Sequence, residues 1–143
     1  MPWKAKKRPR AVVDTSVLVA GIAGFRKPFI PGKNPSADVL HRWTERQNFE
    51  WLLADDILDE YKDVLSRCGA RPQVIGRVIN LIREEAKWLD IRTPVEFSPD
   101  PKDNPFCACA EAGKADFIVT LNPKDFPQKR LNAKVVSPGQ FLK

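Results

Sequence analysis

One decapeptide, residues 10–19, constrains the fold of this chain more than any other segment. It reads Arg-Ala-Val-Val-Asp-Thr-Ser-Val-Leu-Val, so an apolar run ends on an acid, two hydroxyl residues follow, and a second apolar run begins. This order is typical of a buried strand, 10–14, that leads into a helix from Ser16 to about Ile22. In open α/β sheets, ligands bind at the carboxyl ends of the strands. The segment therefore predicts an α/β fold with a functional carboxylate at Asp14.

The rest of the chain alternates strand patterns with helix patterns, which predicts a mainly parallel sheet covered on both faces. Further strands are expected at 49–53, 89–91, 117–120 and 134–136. Helices are expected to begin at Ser36 and Asp55 as caps, to run from Gln73 to about Trp88 and from Lys102 or Asp103 to Ala112, and to open again at Ser137. A chain of 143 residues suits one domain. We assign this domain to 10–143, after a basic arm at 1–9.

Composition narrows the classes of function. The net charge of +6 favours a polyanionic partner. We expect a cytoplasmic protein without membrane contact, since neither a membrane-length apolar run nor a signal peptide is apparent. Three cysteines and one histidine, His41, suit neither a disulfide framework nor a structural zinc site. No serine pairs with His41 in a recognisable motif, which makes a Ser-His-Asp device improbable.

Two acids follow buried or inward-facing patterns, and each has a second interpretation. Asp14 ends a buried strand, where a carboxylate is costly unless it is paired or bound to a metal. It would otherwise cap the next helix, although Ser16 would also serve as that cap. Glu60 lies at the border of the apolar stripe of its helix and could reach a cleft. Its alternative is a surface glutamate paired with a lysine.

Two further segments supply oxygen atoms. Asp103 lies at a helix amino end, which holds a carboxylate ionised, although it could be only a cap, and Asp100 competes with it. Asp116 and Asn122 precede and follow the strand at 117–120. Position favours Asn122, because sites form at the carboxyl ends of parallel strands. Asn122 would be a neutral ligand or a turn residue, and Asp116 could instead anchor the loop behind Gly113.

Together these groups predict a cation site and a nuclease. Clustered carboxylates repel one another unless a cation neutralises them. Oxygen ligands select Mg²⁺ or Mn²⁺, which can position a phosphodiester and activate water. Arg26, Lys27 and Lys33 lie in a loop that would hold RNA through its phosphates. Trp3 in the arm would stack on bases, since the other three tryptophans fall in predicted core elements.

Five motifs in order resemble the PIN domain family, and the match runs from Arg10 nearly to the end of the chain. They are Val-Val-Asp-Thr-Ser-Val-Leu-Val at 12–19, Leu-Asp-Glu-Tyr-Lys-Asp-Val-Leu at 58–65, Asp-Pro-Lys-Asp-Asn-Pro-Phe at 100–106, Ala-Asp-Phe-Ile-Val-Thr at 115–120 and Asn-Pro-Lys-Asp-Phe at 122–126. The ending Val-Val-Ser-Pro-Gly-Gln-Phe-Leu at 135–142 is similar to the family's closing strand and helix. The chain is most similar to the bacterial and archaeal toxin components of toxin–antitoxin pairs, the VapC-like ribonucleases.

The resemblance implies a three-layer α/β/α domain and a ribonuclease that depends on Mg²⁺ or Mn²⁺. It also implies an antitoxin partner and a homodimer. Carried across by position, the catalytic cluster is Asp14, Glu60, Asp103 and Asp116. Thr15 or Ser16, together with Thr120, would support the ligands or face the substrate.

The chain departs from the family pattern at Asn122, where many relatives have aspartate. This leaves open whether Asp116 or Asn122 supplies the fourth group and whether one or two ions bind. Asp125, nearby, is interpreted as structural. Two rival functions stay open: a structure-specific DNA nuclease, and an RNA-binding or interaction domain whose metal site has decayed.

Overall fold

The computed structural model describes residues 8–24, 30–91 and 101–143 of the chain. In these parts, five strands form one sheet: β1 (Arg10–Val13), β2 (Glu50–Leu53), β3 (Lys87–Trp88), β4 (Phe117–Val119) and β5 (Lys134–Val136). The helices are α1 (Thr15–Ala23), α2 (Pro35–Arg46), α3 (Asp55–Ser66), α4 (Pro72–Glu85), α5 (Asn104–Ala112) and α6 (Pro138–Phe141). Three 3₁₀ turns lie at Pro101–Asp103, Pro123–Asp125 and Gln128–Arg130.

The sheet has the order β3-β2-β1-β4-β5, and all four pairings are parallel. With helices flanking the sheet, this is the expected three-layer α/β/α fold. The chain builds outward from β1 through β2 to β3, and then returns to place β4 on the other side of β1. The order of strands therefore reverses between β1 and β4. In open α/β sheets, the crevice at the carboxyl ends of such a strand pair is the usual ligand site.

The core explains why β1 reads as a continuous apolar run. Ala11, Val12 and Val13 are fully buried because the sheet is covered on both faces. Beside them lies an aromatic cluster in which the rings of Trp43 and Trp51 have centroids 4.7 Å apart. Trp51 is paired with Ala11 in the parallel register of β1 and β2, so this cluster packs beside the strand that leads to the candidate site.

Several predicted boundaries are wrong, each for a local reason. The N-cap of α2 is Asn34, not Ser36, because the Asn34 side chain accepts the Ala37 amide and Pro35 takes the first helical position. The N-cap of α3 is Ala54 rather than Asp55, and it makes no side-chain capping bond. The helix expected to run from Gln73 begins at Pro72.

The largest difference is at the sheet edge. Ala86 takes an extended backbone conformation, so α4 ends at Glu85 rather than near Trp88. The next residues pair with Leu52 and Leu53, and the edge strand is therefore Lys87–Trp88 and not 89–91. Trp88 is consequently 42% exposed, contrary to its predicted place in the core, whereas Trp43 and Trp51 are buried as expected.

No helix in residues 8–24, 30–91 and 101–143 is both long enough and apolar enough to cross a membrane.

Candidate active site

A pocket of about 560 Å³ opens at the carboxyl edge of the sheet, where β1 and β4 end. Three of the predicted acids, Asp14, Glu60 and Asp103, line it together with Asn122. The remaining lining residues are Thr15, Ser16, Val19, Ala20, Val64, Lys102, Leu121, Asp125 and Phe126. Segments as far apart in sequence as Asp14 and Phe126 therefore meet at the place where the strand order reverses.

Asp14 is buried at the floor of this pocket. It occupies the N-cap position of α1, but its side chain makes no capping bond to the helix. Instead, its Oδ2 atom accepts hydrogen bonds from the hydroxyls of Ser16 (2.7 Å) and Thr120 (2.8 Å). These bonds meet the cost of burying the carboxylate and set its direction. Neither Asp14 nor Ser16 therefore caps α1 through its side chain, which were the two alternatives that the sequence left open.

The same two hydroxyls hold the loop that follows β4. The Leu121 amide donates to Ser16 Oγ over 3.2 Å, and the Asn122 amide donates to Thr120 Oγ1 over 3.1 Å. Each hydroxyl thus donates to Asp14 and accepts from the loop. Through these bonds, the loop residues are tied to the carboxylate on the neighbouring strand.

Glu60 reaches the pocket from α3. Its helix buries Ile57, Leu58 and Tyr61, and Glu60 lies at the margin of that face with intermediate exposure. The Thr15 hydroxyl donates a hydrogen bond to Glu60 Oε2. Glu60 is therefore joined to the first turn of α1, next to Asp14, and it lines the pocket.

Asp103 reaches the pocket from the amino end of α5. It is the N-cap residue of that helix, again without a side-chain capping bond. The helix buries Phe106, Cys107 and Ala110, which turns this end of α5 toward the sheet. Asp100, the competing acid, lies outside the described residues.

Asp125 is the pocket acid that sequence reasoning missed, since it was interpreted as structural. Pro123 begins a 3₁₀ turn after Asn122, and Asp125 ends it. With about three residues per turn, positions three apart lie on the same side, so Asn122 and Asp125 both line the pocket. The available signal was the spacing of Asn122 and Asp125 across a proline.

Asp116 does not line this pocket, so the structure does not bring it together with the other three predicted acids, and its part in the cluster stays a prediction. It precedes β4, and in a parallel sheet the amino ends of the strands lie at the edge opposite the carboxyl ends. There, its Oδ2 atom accepts the Arg10 amide over 2.8 Å. Asp116 lines a separate pocket of about 520 Å³ with Arg8, Arg10 and Lys114.

The predicted RNA-binding residues are only partly described. Arg26, Lys27 and Trp3 fall outside the described residues. Lys33 is exposed in the turn before α2 and does not line the acidic pocket. In that turn, the Gly32 amide donates to both carboxylate oxygens of the buried Asp38, at 3.3 and 3.1 Å. A buried acid thus holds the segment that carries Lys33.

The donors that line the pocket match the predicted cation in kind. The carboxylate and amide oxygens lining the pocket are the ligands that Mg²⁺ and Mn²⁺ prefer. Within the parts of the chain described, however, no group of three or more His, Cys, Asp or Glu side chains is close enough to hold a metal ion. The chemistry of the donors fits a hard divalent ion, but the acids line the pocket without being gathered around one point.

Nucleophilic and thiolate chemistry is disfavoured nearby. Burial, with a smaller effect of the Asp103 charge, raises the pKa of Cys107 to about 12. Burial raises the pKa of Cys109 to about 12 as well. Both cysteines are therefore thiols at neutral pH and are not activated as nucleophiles.

A comparison with solved structures agrees with this architecture. The comparison with curated proteins gave no match. Among solved structures, the chain is similar to one described as VapBC2 from Rickettsia felis bound to a DNA fragment from their promoter. The TM-score is 0.55 at 12% identity, over 89% of this chain and 96% of that chain, which shows a shared fold.

The family assignment comes from the sequence. The sequence model of the PIN domain matches residues 10–124, which include all the acids of the pocket except Asp125. PIN domains are nucleases, and they generally use divalent metal ions. The match covers most of the chain, and on this basis the chain belongs to the PIN domain family.

Proposed function

We propose that this protein is a ribonuclease that hydrolyses RNA phosphodiester bonds with Mg²⁺ or Mn²⁺, and that it is the toxin of a toxin–antitoxin pair. One observation carries the proposal: Asp14, Glu60 and Asp103, from three distant segments, line one pocket at the carboxyl edge of the sheet. Membership of a nuclease family makes hydrolysis of a phosphodiester the reaction that such a pocket would serve.

The roles of the acids follow from their positions. Asp14 and Asp103 would hold a divalent ion, and Glu60 would act on it through water or hold a second ion. Asn122 or Asp125 would supply the fourth oxygen, in place of Asp116. When bound, the ion would position the phosphodiester, lower the pKa of a water and neutralise the charge that develops on the phosphate.

The surrounding hydroxyls would orient these acids. Ser16 and Thr120 donate to the same oxygen of Asp14, which leaves its other carboxylate oxygen, Oδ1, for a ligand in the pocket. Thr15 restrains Glu60 in the same way through Oε2. Hydroxyls that fix the carboxylates before substrate arrives reduce the reorganisation needed during the reaction.

Single-stranded RNA suits the pocket and the charge of the chain. The pocket wall beside the acids is apolar, formed by Val19, Val64, Leu121 and Phe126, and would contact a base next to the cleaved phosphate. The net charge of +6 favours a polyanion, and Lys33, with Arg26 and Lys27, would contact its backbone.

The toxin role rests on more general support. The resemblance to VapC-like toxins and the shared fold with a structure described as VapBC2 favour a pairing with an antitoxin protein. A second open reading frame beside the gene, encoding a small protein that co-purifies with this chain, is the expected finding.

The test compares substitutions of two aspartates, Asp14 and Asp116, which both belong to the motifs that resemble the PIN family. Asp14→Asn is expected to abolish cleavage of single-stranded RNA in Mn²⁺ or Mg²⁺, as chelation should, because a metal-facing carboxylate is lost. Asp116→Asn is the matched control and should retain activity, because its partner is the Arg10 amide at the opposite edge. Cleavage that survives both Asp14→Asn and chelation would refute the metal mechanism.

A second function has specific support, namely an RNA-binding domain with a decayed metal site. Asn122 replaces the aspartate of many relatives, and no three of the described acids are gathered at metal-binding distance. This alternative predicts RNA binding that neither Mn²⁺ nor Asp14→Asn changes, without cleavage under any condition. Binding measured alongside cleavage therefore separates the two functions.

A further inference from the structure

The tripeptide Pro-Lys-Asp occurs twice, at 101–103 and at 123–125. Both copies fold as a single 3₁₀ turn, one before α5 and one after β4. Both aspartates line the acidic pocket, whereas only the first lysine, Lys102, does so. Two turns of the same sequence thus present different side chains to the site. Their sequences are identical, so their positions in the tertiary structure determine which side chains line the pocket.

Lys102 is the one basic side chain among the described residues that line this pocket. The acids that line it are Asp14, Glu60, Asp103 and Asp125. These four carboxylates repel a polyanion, and the repulsion is strongest where the RNA backbone must come closest to them. A cation within the pocket offsets part of that repulsion.

We propose that Lys102 binds a phosphate of the RNA strand at the mouth of the acidic pocket. The inference rests on the proposed ribonuclease function and adds a substrate-binding residue to it. Lys102 is exposed at its turn, and its ammonium carries three donors on a flexible stem, which suits a phosphate beside the one that is cleaved. Lys124 is equally a lysine in an exposed 3₁₀ turn, but it is not among the residues that line the pocket.

The experiment uses the full chain and a fluorescent single-stranded RNA, with binding followed by anisotropy in chelator so that no cleavage occurs. Lys102→Met removes the charge at nearly constant length, Lys102→Arg keeps it, and Lys124→Met is the matched control. Lys102→Met should weaken binding about three- to tenfold, the size of one exposed charged contact. Its plot of log K against log salt should be shallower by about 0.7, the value for one phosphate contact on a single strand.

Lys102→Arg should bind like the wild type, and Lys124→Met should change affinity by less than about twofold with an unchanged salt slope. In Mn²⁺, Lys102→Met should raise KM for cleavage while Lys124→Met leaves it unchanged. Thermal melting of each variant checks that the fold is retained, and Lys102→Gln provides a second neutral variant.

Two outcomes overturn the inference in distinguishable ways. If the wild type binds and cleaves RNA but Lys102→Met and Lys124→Met have the same affinity and salt slope, Lys102 does not contact the strand and only this inference fails. If the wild type neither binds nor cleaves RNA, the proposed function fails and the inference fails with it.

Discussion

Tyr61 links the core to the candidate site, and replacing it with phenylalanine tests how the end of β1 is held. The Tyr61 hydroxyl donates to the Val13 carbonyl over 2.5 Å and accepts from Trp51 Nε1 over 3.3 Å. All three residues are buried. The pairing of β1 with β2 ends at Ala11, so the Val13 carbonyl lies beyond it and takes the tyrosine as its partner. Asp14 is the next residue.

The expected cost follows from the groups left without partners. Tyr61→Phe removes both hydrogen bonds but keeps the ring, so the loss of apolar burial is small. A buried polar group without a partner costs about 1–3 kcal/mol. The Val13 bond is short and the Trp51 bond is long, so the total should be about 2–3 kcal/mol, most of it from Val13. Stabilities of single domains are about 5–15 kcal/mol, so the change is readily measured.

Urea unfolding followed by tryptophan fluorescence is the assay. With an m value of about 2 kcal/mol/M, the midpoint should fall by about 1 to 1.5 M. Ser66→Ala is the control, because it removes an exposed hydroxyl that donates to the Asp63 carbonyl over 2.7 Å. That change should cost less than about 0.5 kcal/mol. A midpoint for Tyr61→Phe no lower than that of Ser66→Ala would refute the role of the Trp51–Tyr61–Val13 contacts.

Further predictions concern alkaline pH and two glycines. Because burial raises the pKa of Cys107 and Cys109 above 9.0, to about 12, their contribution to stability is intact below about pH 9 and is lost as the pH rises toward 12. The urea midpoint should therefore fall above pH 9, less steeply in Cys109→Ala, and a flat profile from pH 9 to 11 would contradict this. Gly113→Ala should destabilise by about 1–3 kcal/mol, because its Cβ would lie 2.6 Å from Leu89 Cδ1. Gly76→Ala in α4, with open space around its Cβ, should instead stabilise by about 0.5–1 kcal/mol in the same urea assay.

Local patterns were sufficient for much of this fold. The order of strand, acid and helix at 10–22 predicts β1, Asp14 and α1 almost residue by residue, because a doubly covered strand must be apolar and must end where polar groups begin. The predicted boundaries of strands and helices are wrong where contacts with residues distant in sequence determine them. Whether 87–88 or 89–91 forms the edge strand depends on register with Leu52 and Leu53, and the helical pattern up to Trp88 carries no record of that pairing.

In the candidate site, too, local patterns predict some residues and tertiary contacts decide others. The acids Asp14, Glu60 and Asp103 could be selected because each borders an apolar pattern. Asp116 and Asp125 could not be separated in this way, since both are exposed acids near the ends of one short strand. Strand direction places Asp116 at the amino edge, and the 3₁₀ turn after Asn122 brings Asp125 to the pocket.

What the sequence determined by itself is therefore the class of fold and the kinds of atom available: apolar runs that must be buried and acids at their ends. What only the tertiary structure decided is which of these atoms meet. Polar groups are exposed at either end of a strand at similar cost, so hydrophobic patterning leaves their partners undetermined. Strand order, parallel direction and turn geometry then bring Asp14, Glu60, Asp103 and Asp125 to one pocket and leave Asp116 beside Arg10.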